Sequence, residues 1–199
     1  MINISTREIE EQIANSKLHF DALKDDEIEW RYQPPPFVVA FVNYLETFKC
    51  IPTQNEFAEH YIALNRTMLN DEFLRKWKPP ERLSKKQALL ARLKRAYPSF
   101  VRDVYLLALL REHGVNADYD SMQDVEAGVD LIVEGKLHVH VFLDSPRSRQ
   151  GRLKKNRRHT FTGKHLDLVL KPSECKHVGE FWLPTLQHVQ LVKHALGGE

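Results

Sequence analysis

The sequence predicts a mixed α/β fold in which a helical region comes first and a sheet flanked by helices follows. Up to His113, apolar residues recur every three or four positions, which is the periodicity of helices with one buried face. From Val115 onward, they form short runs of strand length that are separated by turn residues. The 199 residues, 42% of them hydrophobic and 28% charged, are enough for one substantial domain or two small ones.

The boundary between the two regions is predicted at Lys78-Pro79-Pro80. Paired prolines disfavour helical geometry in the residue before them, and they remove backbone donors. Residues 1–80 are therefore expected to form a helical region, and residues 81–199 an α/β domain.

Two helices joined by a tight turn are predicted after the three prolines at 34–36. Thr53 can cap the second helix, with Glu56 as its capping-box partner. The pair resembles a helix-turn-helix, but the second helix, at 54–64, has almost no positive charge for DNA phosphates. A packing or partner-binding unit is favoured over a DNA-reading one, and both remain open. The residues that share the apolar face of the first helix are Phe37, Phe41, Tyr44, Leu45 and Phe48.

A basic helix is predicted from Ser84 to about Ala96, and a well-buried helix begins after Tyr97-Pro98-Ser99 and ends at His113-Gly114. Strands then follow, with a hairpin turn at 134–136 and a polar, basic, helical stretch after the third strand. A closing helix is expected over 184–196. The predicted strands are 115–119, 127–133, 137–143, 165–170 and 178–183.

The composition favours a cytoplasmic protein without a membrane segment. Cys50 and Cys175 lie far apart and form no CxxC pair, so reduced thiols are expected. No apolar run reaches 18 residues, and the N-terminus is polar and acidic, unlike a signal peptide.

Charge is unevenly distributed, although the net charge is only +2. The segment from Glu8 to Trp30 is acidic, whereas the segment from Arg147 to Lys164 holds eight Lys or Arg and no carboxylate. These charges repel one another unless a polyanion or an acidic partner neutralises them, so we expect nucleic acid, DNA foremost, as the ligand. An acidic protein surface, including the N-terminal segment itself, and a solvated face remain alternatives. The predicted nucleic-acid-binding residues are Arg147, Arg149, Arg152, Lys154, Lys155, Arg157 and Arg158.

Asp130 is the first candidate for a catalytic or metal-binding residue. Its carboxylate lies inside an apolar strand, where a buried charge needs a partner or a cation. The next strand leads to Asp144, and pairing through the turn would bring it to the same end of the hairpin. Two carboxylates near one point suit Mg²⁺, which polarises a phosphodiester and lowers the pKa of a bound water.

The segment from Phe100 to His159 resembles the core of the PD-(D/E)XK, or restriction-endonuclease-like, nucleases. That core consists of a helix that often bears a Glu, a hairpin with an Asp on its first strand and (D/E)xK on its second, and a covering helix. Gly128-Val129-Asp130-Leu131-Ile132 matches the first strand. The resemblance covers about a third of the chain. It implies a restriction-endonuclease-like mixed sheet and a Mg²⁺-dependent DNA nuclease, as a subunit of a mobile-element or defence system.

The second half of the motif departs from the family pattern. The second strand offers His140-Val141-Phe142 or Phe142-Leu143-Asp144 without a lysine, and Glu134-Gly135-Lys136 occupies the turn. Either the lysine has moved to the following helix, or the core is inactive and binds only nucleic acid or partner proteins. The resemblance implies Asp103 (or Glu112), Asp130 and Asp144 as metal ligands, and Asp130, Asp144, Lys154 and Lys155 as catalytic residues.

The three carboxylates also have structural interpretations. Asp130 can be satisfied by backbone donors, Asp103 can form an ion pair with the adjacent Arg102, and Asp144 can cap a following helix.

Two histidines suggest a weaker possibility, a zinc site. His138 and His140 face the same side of a strand, as in a two-ligand zinc arm. Spacing selects no third ligand, although His159 and His177 are available.

Overall fold

A computed structural model describes residues 2–119, 129–145 and 163–197. It confirms that the fold mixes helices with a sheet. None of the helices in these ranges is long and apolar enough to cross a membrane. The helices are α1 (Thr6–Ile13), α2 (Phe37–Phe48), α3 (Gln54–Leu64), the short α4 (Arg66–Met68), α5 (Pro79–Glu112) and α6 (Leu186–Gly197). Single π-helical or 3-10 turns are formed by Glu27–Arg31, Leu69–Phe73, Leu74–Lys76 and Pro172–Glu174.

The main sheet has four strands in the order of the sequence. The first three pair antiparallel, and the fourth runs parallel to the third. A second, two-stranded sheet precedes α6. The main strands are β1 (Ala117–Asp118), β2 (Leu131–Val133), β3 (Leu137–Leu143) and β4 (Lys164–Leu170), and the small sheet pairs β5 (Lys176–Val178) with β6 (Phe181–Leu183).

The prediction of one strand over 178–183 is wrong, because Gly179 turns the chain between β5 and β6 with φ of +56°. A Cβ atom on Gly179 would lie 2.5 Å from the carbonyl oxygen of Ile13 in α1. The turn therefore needs glycine both for its left-handed backbone and for the close approach of α1.

The predicted helix pair is confirmed as α2 and α3, and the capping box at Thr53 is present. The Glu56 N–H donates to Thr53 Oγ1 at 3.2 Å, and the Thr53 N–H donates to Glu56 Oε2 at 2.7 Å. Both bonds satisfy donors that the first turn of a helix would otherwise leave without a partner.

The prediction of two helices between Ser84 and His113 is wrong, because α5 is one helix of 34 residues with Pro98 inside it. Pro98 has no N–H to donate to the Lys94 carbonyl one turn earlier. The side-chain amide of Gln54 in α3 donates to that carbonyl at 2.9 Å and accepts from the His19 N–H at 2.8 Å. A side chain from another helix thus replaces the missing bond, and α5 continues.

The boundary predicted near residue 80 coincides with the start of α5, but the two regions share one hydrophobic core. α1 packs against the second half of the chain. The Thr6 N–H donates to Glu112 Oε1 at 2.7 Å, and Glu10 accepts from Lys176 at 2.7 Å and from Tyr105 at 2.6 Å. The first helix therefore belongs with the sheet region in space.

Carboxylates of the acidic N-terminal segment pair with the basic first half of α5. Lys85 lies 2.7 Å from both Asp25 and Glu27, and Glu29 pairs with Arg95. These three carboxylates are therefore engaged by Lys85 and Arg95 of α5.

Candidate functional site

The two faces of the main sheet differ in chemistry, because side chains alternate along each strand. One face is buried in the hydrophobic core and is formed by Leu131, Val133, Leu137, Val139, Val141, Leu168 and Leu170. The alternate positions of β3 and β4 carry His138, His140, His165 and Asp167. The sheet therefore has one apolar face and one face rich in histidine.

Four of the polar residues form a row that crosses three strands, and we call it the Asp-His row: Asp130, His140, Asp167 and His165. His140 Nε2 lies 3.7 Å from Asp130 Oδ2, and His140 Nδ1 lies 3.5 Å from Asp167 Oδ1. His165 Nε2 lies 3.1 Å from the same Asp167 oxygen. No side chain of the row is more than 20% exposed, so their charges interact with little screening by water.

The pairing of the strands creates this row. His140 lies opposite Asp167 and His138 opposite His165 in the parallel register of β3 and β4. Asp130 comes directly before β2, and its N–H donates to the Val139 carbonyl at 3.0 Å. Asp130 is therefore fixed beside the middle of β3.

A backbone donor satisfies part of the Asp130 carboxylate. Asp130 is 6% exposed, and its Oδ2 accepts a hydrogen bond from the Val141 N–H at 2.6 Å. This contact agrees with the structural interpretation of Asp130 as a hairpin residue satisfied by the backbone. The same oxygen nevertheless faces His140, so the structural contact does not remove Asp130 from the row.

Arg102 supplies a permanent positive charge near two of the predicted ligands. Burial lowers the pKa of Arg102, and the carboxylates of Asp103 and Asp130 act in the opposite direction. Asp103, on α5, is only 4% exposed. The ion-pair interpretation of Asp103 stays a prediction.

Asp144 lies away from Asp130. Its N–H donates to the Leu170 carbonyl at 2.7 Å, beyond the end of β3, and its charge acts on Lys171. Asp144 is four residues past His140, or about 13 Å along an extended strand, whereas Asp130 lies beside His140. The structure therefore does not bring Asp130 and Asp144 to the single point that the sequence suggested.

The predicted Mg²⁺ site stays a prediction, because the segment after β3 that belongs to it lies outside the described ranges. Within 2–119, 129–145 and 163–197, no three His, Cys, Asp or Glu side chains are arranged to hold a metal ion. In the Asp-His row, each ring nitrogen of His140 faces a different carboxylate, so the ring separates Asp130 from Asp167.

The other predicted residues lie outside the described ranges. They are Arg147, Arg149, Arg152, Lys154, Lys155, Arg157 and Arg158, together with His159. Their roles in catalysis and in nucleic-acid binding stay predictions.

Sequence reasoning missed His165 and Asp167. Their separation by two residues is the same signal that singled out His138 and His140, but only the parallel pairing of β4 with β3 brings the two pairs together. His177, one of the alternatives considered, lies in the small sheet with its ring stacked on Trp182 at 4.4 Å. The neighbours of the hairpin histidines thus come from a strand that sequence spacing does not select.

Comparison of the chain with protein families, with curated proteins and with solved structures gives no match. The resemblance to restriction-endonuclease-like nucleases therefore depends on the residues and the order of elements of this chain itself. The function must be inferred from the geometry of the site.

Proposed function

We propose that this chain is a nuclease-like protein that binds DNA and hydrolyses its phosphodiester bonds at the Asp-His row. The observation that carries the proposal is the placement of two carboxylates and two imidazoles in contact across β2, β3 and β4. Clusters of interacting titratable groups on a polar sheet face are typical of catalytic sites. A cytoplasmic location would give such an enzyme access to DNA.

The order of elements supports the proposal. The long helix α5 is followed by the β2–β3 hairpin, with Asp130 at the start of its first strand. The connection from β3 to the parallel strand β4 contains the basic segment. This order is similar to that of the PD-(D/E)XK core, and it brings the ends of a strongly cationic segment to the strands of the row. Similarity of order supports a fold and leaves activity to be tested.

The chemistry of the row also suits phosphodiester hydrolysis. The reaction needs a group that takes a proton from the attacking water and positive charge that stabilises the phosphorane oxygens. A carboxylate of the row can take that proton, while the ring of His140 lies between Asp130 and Asp167 and interacts with both. Arg102 and the cations of the basic segment would supply positive charge.

Plasmid cleavage tests the proposal. Wild type, Asp130→Asn and Asp167→Asn are compared with Mg²⁺, with Mn²⁺ and with EDTA, and His194→Asn on the exposed side of α6 is the control. We expect the two Asp variants to lose at least about 100-fold in rate, because each loses a charge in contact with His140. The EDTA arm tests the Mg²⁺ dependence that the nuclease resemblance implies. Undiminished cleavage by Asp130→Asn would exclude the row as the catalytic site.

A non-catalytic nuclease-like subunit is the second candidate. It is favoured by the hydrogen bond from the Val141 N–H to Asp130 and by the charge of Arg102, both of which stabilise the carboxylate without a metal. Such a subunit would bind DNA with strong salt dependence and without turnover. Arg157→Glu with Arg158→Glu would weaken that binding. If affinity at low salt is unchanged by this double variant, the basic segment serves a protein partner or no ligand.

A further inference from the structure

A groove of about 690 Å³ lies between α3, residues 66–74 and the first half of α5. It is separate from the Asp-His row, and the inference drawn from it does not depend on nuclease activity. Its floor is apolar and is formed by Ala58, Ile62, Leu69, Leu74, Leu89 and Leu90. The elements that form the groove also expose the large apolar side chains of Leu64, Met68 and Leu83.

Three cations line this groove: Arg66, Lys86 and Lys94. In the part of the chain that the structure describes, none of them has a carboxylate within ion-pair distance. Glu59 is the acidic residue among the lining side chains. The groove thus combines an apolar floor with uncompensated positive charge.

Other cations of α5, outside the groove, are paired with carboxylates. There Lys85 and Arg95 are paired with carboxylates of the N-terminal segment, which forms the helical turn Glu27–Arg31. The chain therefore supplies an acidic helical segment to one side of α5 and leaves the basic side at the groove without one.

We propose that the groove binds an acidic amphipathic helix of a partner protein. Lys86, Leu90 and Lys94 recur every fourth residue on one side of α5, so the two lysines lie about 12 Å apart along the helix. A partner helix with carboxylates seven or eight residues apart, and apolar residues between them, matches this spacing. Helices that place apolar anchors in a groove are a common mode of peptide recognition.

Nucleic acid fits the groove less well. A phosphate backbone gains from the cations alone, whereas an amphipathic helix also covers Ile62 and Leu90, the two half-buried residues of the floor. The interaction surface therefore favours a protein partner.

The test is a display selection of random 16-residue peptides on the full-length chain. We expect the enriched peptides to combine Leu, Ile or Phe at helical spacing with Asp or Glu, and to lose at least tenfold in affinity for the double variant Lys86→Glu, Lys94→Glu. The matched control is Lys24→Glu, Lys136→Glu, which makes the same charge change at exposed positions outside the groove. Lysine-substituted versions of the enriched peptides should bind the groove variant better than wild type, which also shows that this variant is folded.

Three results would overturn the proposal. Enriched peptides without acidic residues, or equal affinity for the groove and control variants, would exclude charge complementarity at this surface. A loss of DNA binding by the groove variant alone would assign the groove to nucleic acid. Dimers of the wild type that dissociate only in the groove variant would assign it to a second copy of the chain.

Discussion

Replacing Gln54 by Met should destabilise the protein more than its position at the start of α3 suggests. Met keeps the size of the side chain and removes both of its hydrogen bonds, to the Lys94 carbonyl and from the His19 N–H. Gln54 is only 5% exposed, so water does not easily replace it. An unsatisfied buried group costs about 1–3 kcal/mol, and the His19 N–H is nearer to solvent, so we expect a total of about 2 kcal/mol.

A second substitution isolates the contribution of the proline. In Pro98→Ala, the new N–H can donate to the Lys94 carbonyl, which then no longer depends on Gln54. Gln54→Met should therefore cost about 1 kcal/mol less in the Pro98→Ala background. Urea unfolding followed by circular dichroism measures all four proteins, with exposed Asn55→Met as a control that changes stability by less than about 0.5 kcal/mol. An equal cost of Gln54→Met in both backgrounds would refute the reasoning.

The turn at Gly179, the ion pair of Lys85 and the basic segment can each be tested by substitution. Gly179→Ala should lower the free energy of unfolding by about 2 kcal/mol or more, because its Cβ would lie 2.5 Å from the Ile13 carbonyl oxygen. Gly114 is the control: it also has positive φ, but it has open space around it, so Gly114→Ala should cost about 1 kcal/mol in the same assay. Burial raises the pKa of Asp25, but hydrogen bonds and the charge of Lys85 outweigh it and hold that pKa below its ordinary value. The resulting stability is present above the ordinary pKa and is lost as the pH falls through the lowered one. Lys85→Met should therefore flatten the dependence of the unfolding free energy on pH below about pH 4, and an unchanged slope would contradict this. Arg157→Glu with Arg158→Glu should reduce the slope of log affinity for DNA against log salt by about 2, whereas Lys24→Glu with Lys136→Glu should leave the slope unchanged.

Local signals in the sequence predicted much of the fold. The capping box of Thr53 and Glu56 predicts the start of α3, because it involves residues only three apart. The turn at 134–136 is equally local, with Glu134 and Gly135 both at positive φ. In both places the residues that form the structure are also neighbours in sequence.

The predictions that were wrong or incomplete concern residues that are distant in sequence. Pro98 normally ends a helix, and the side chain that compensates for it, Gln54, lies 40 residues before the carbonyl that it satisfies. Likewise, Asp167 joins His140 only because β4 returns parallel to β3 after a long connection. Neither relation leaves a periodic pattern, so single-sequence reasoning could propose Asp130 and His140 but not the other half of the row.

The packing of α1 on the second half of the chain has a consequence for the order of folding. The ion pair between Glu10 and Lys176 joins residues separated by 166 positions, and the bond from Leu18 to Glu180 spans 162. During synthesis, α1 must therefore wait until more than 160 further residues have been made before it reaches these contacts. Until then α5 is the partner available to the apolar side of α1, with Ile9 and Ile13, and such long-range closure slows folding and exposes the nascent chain to aggregation.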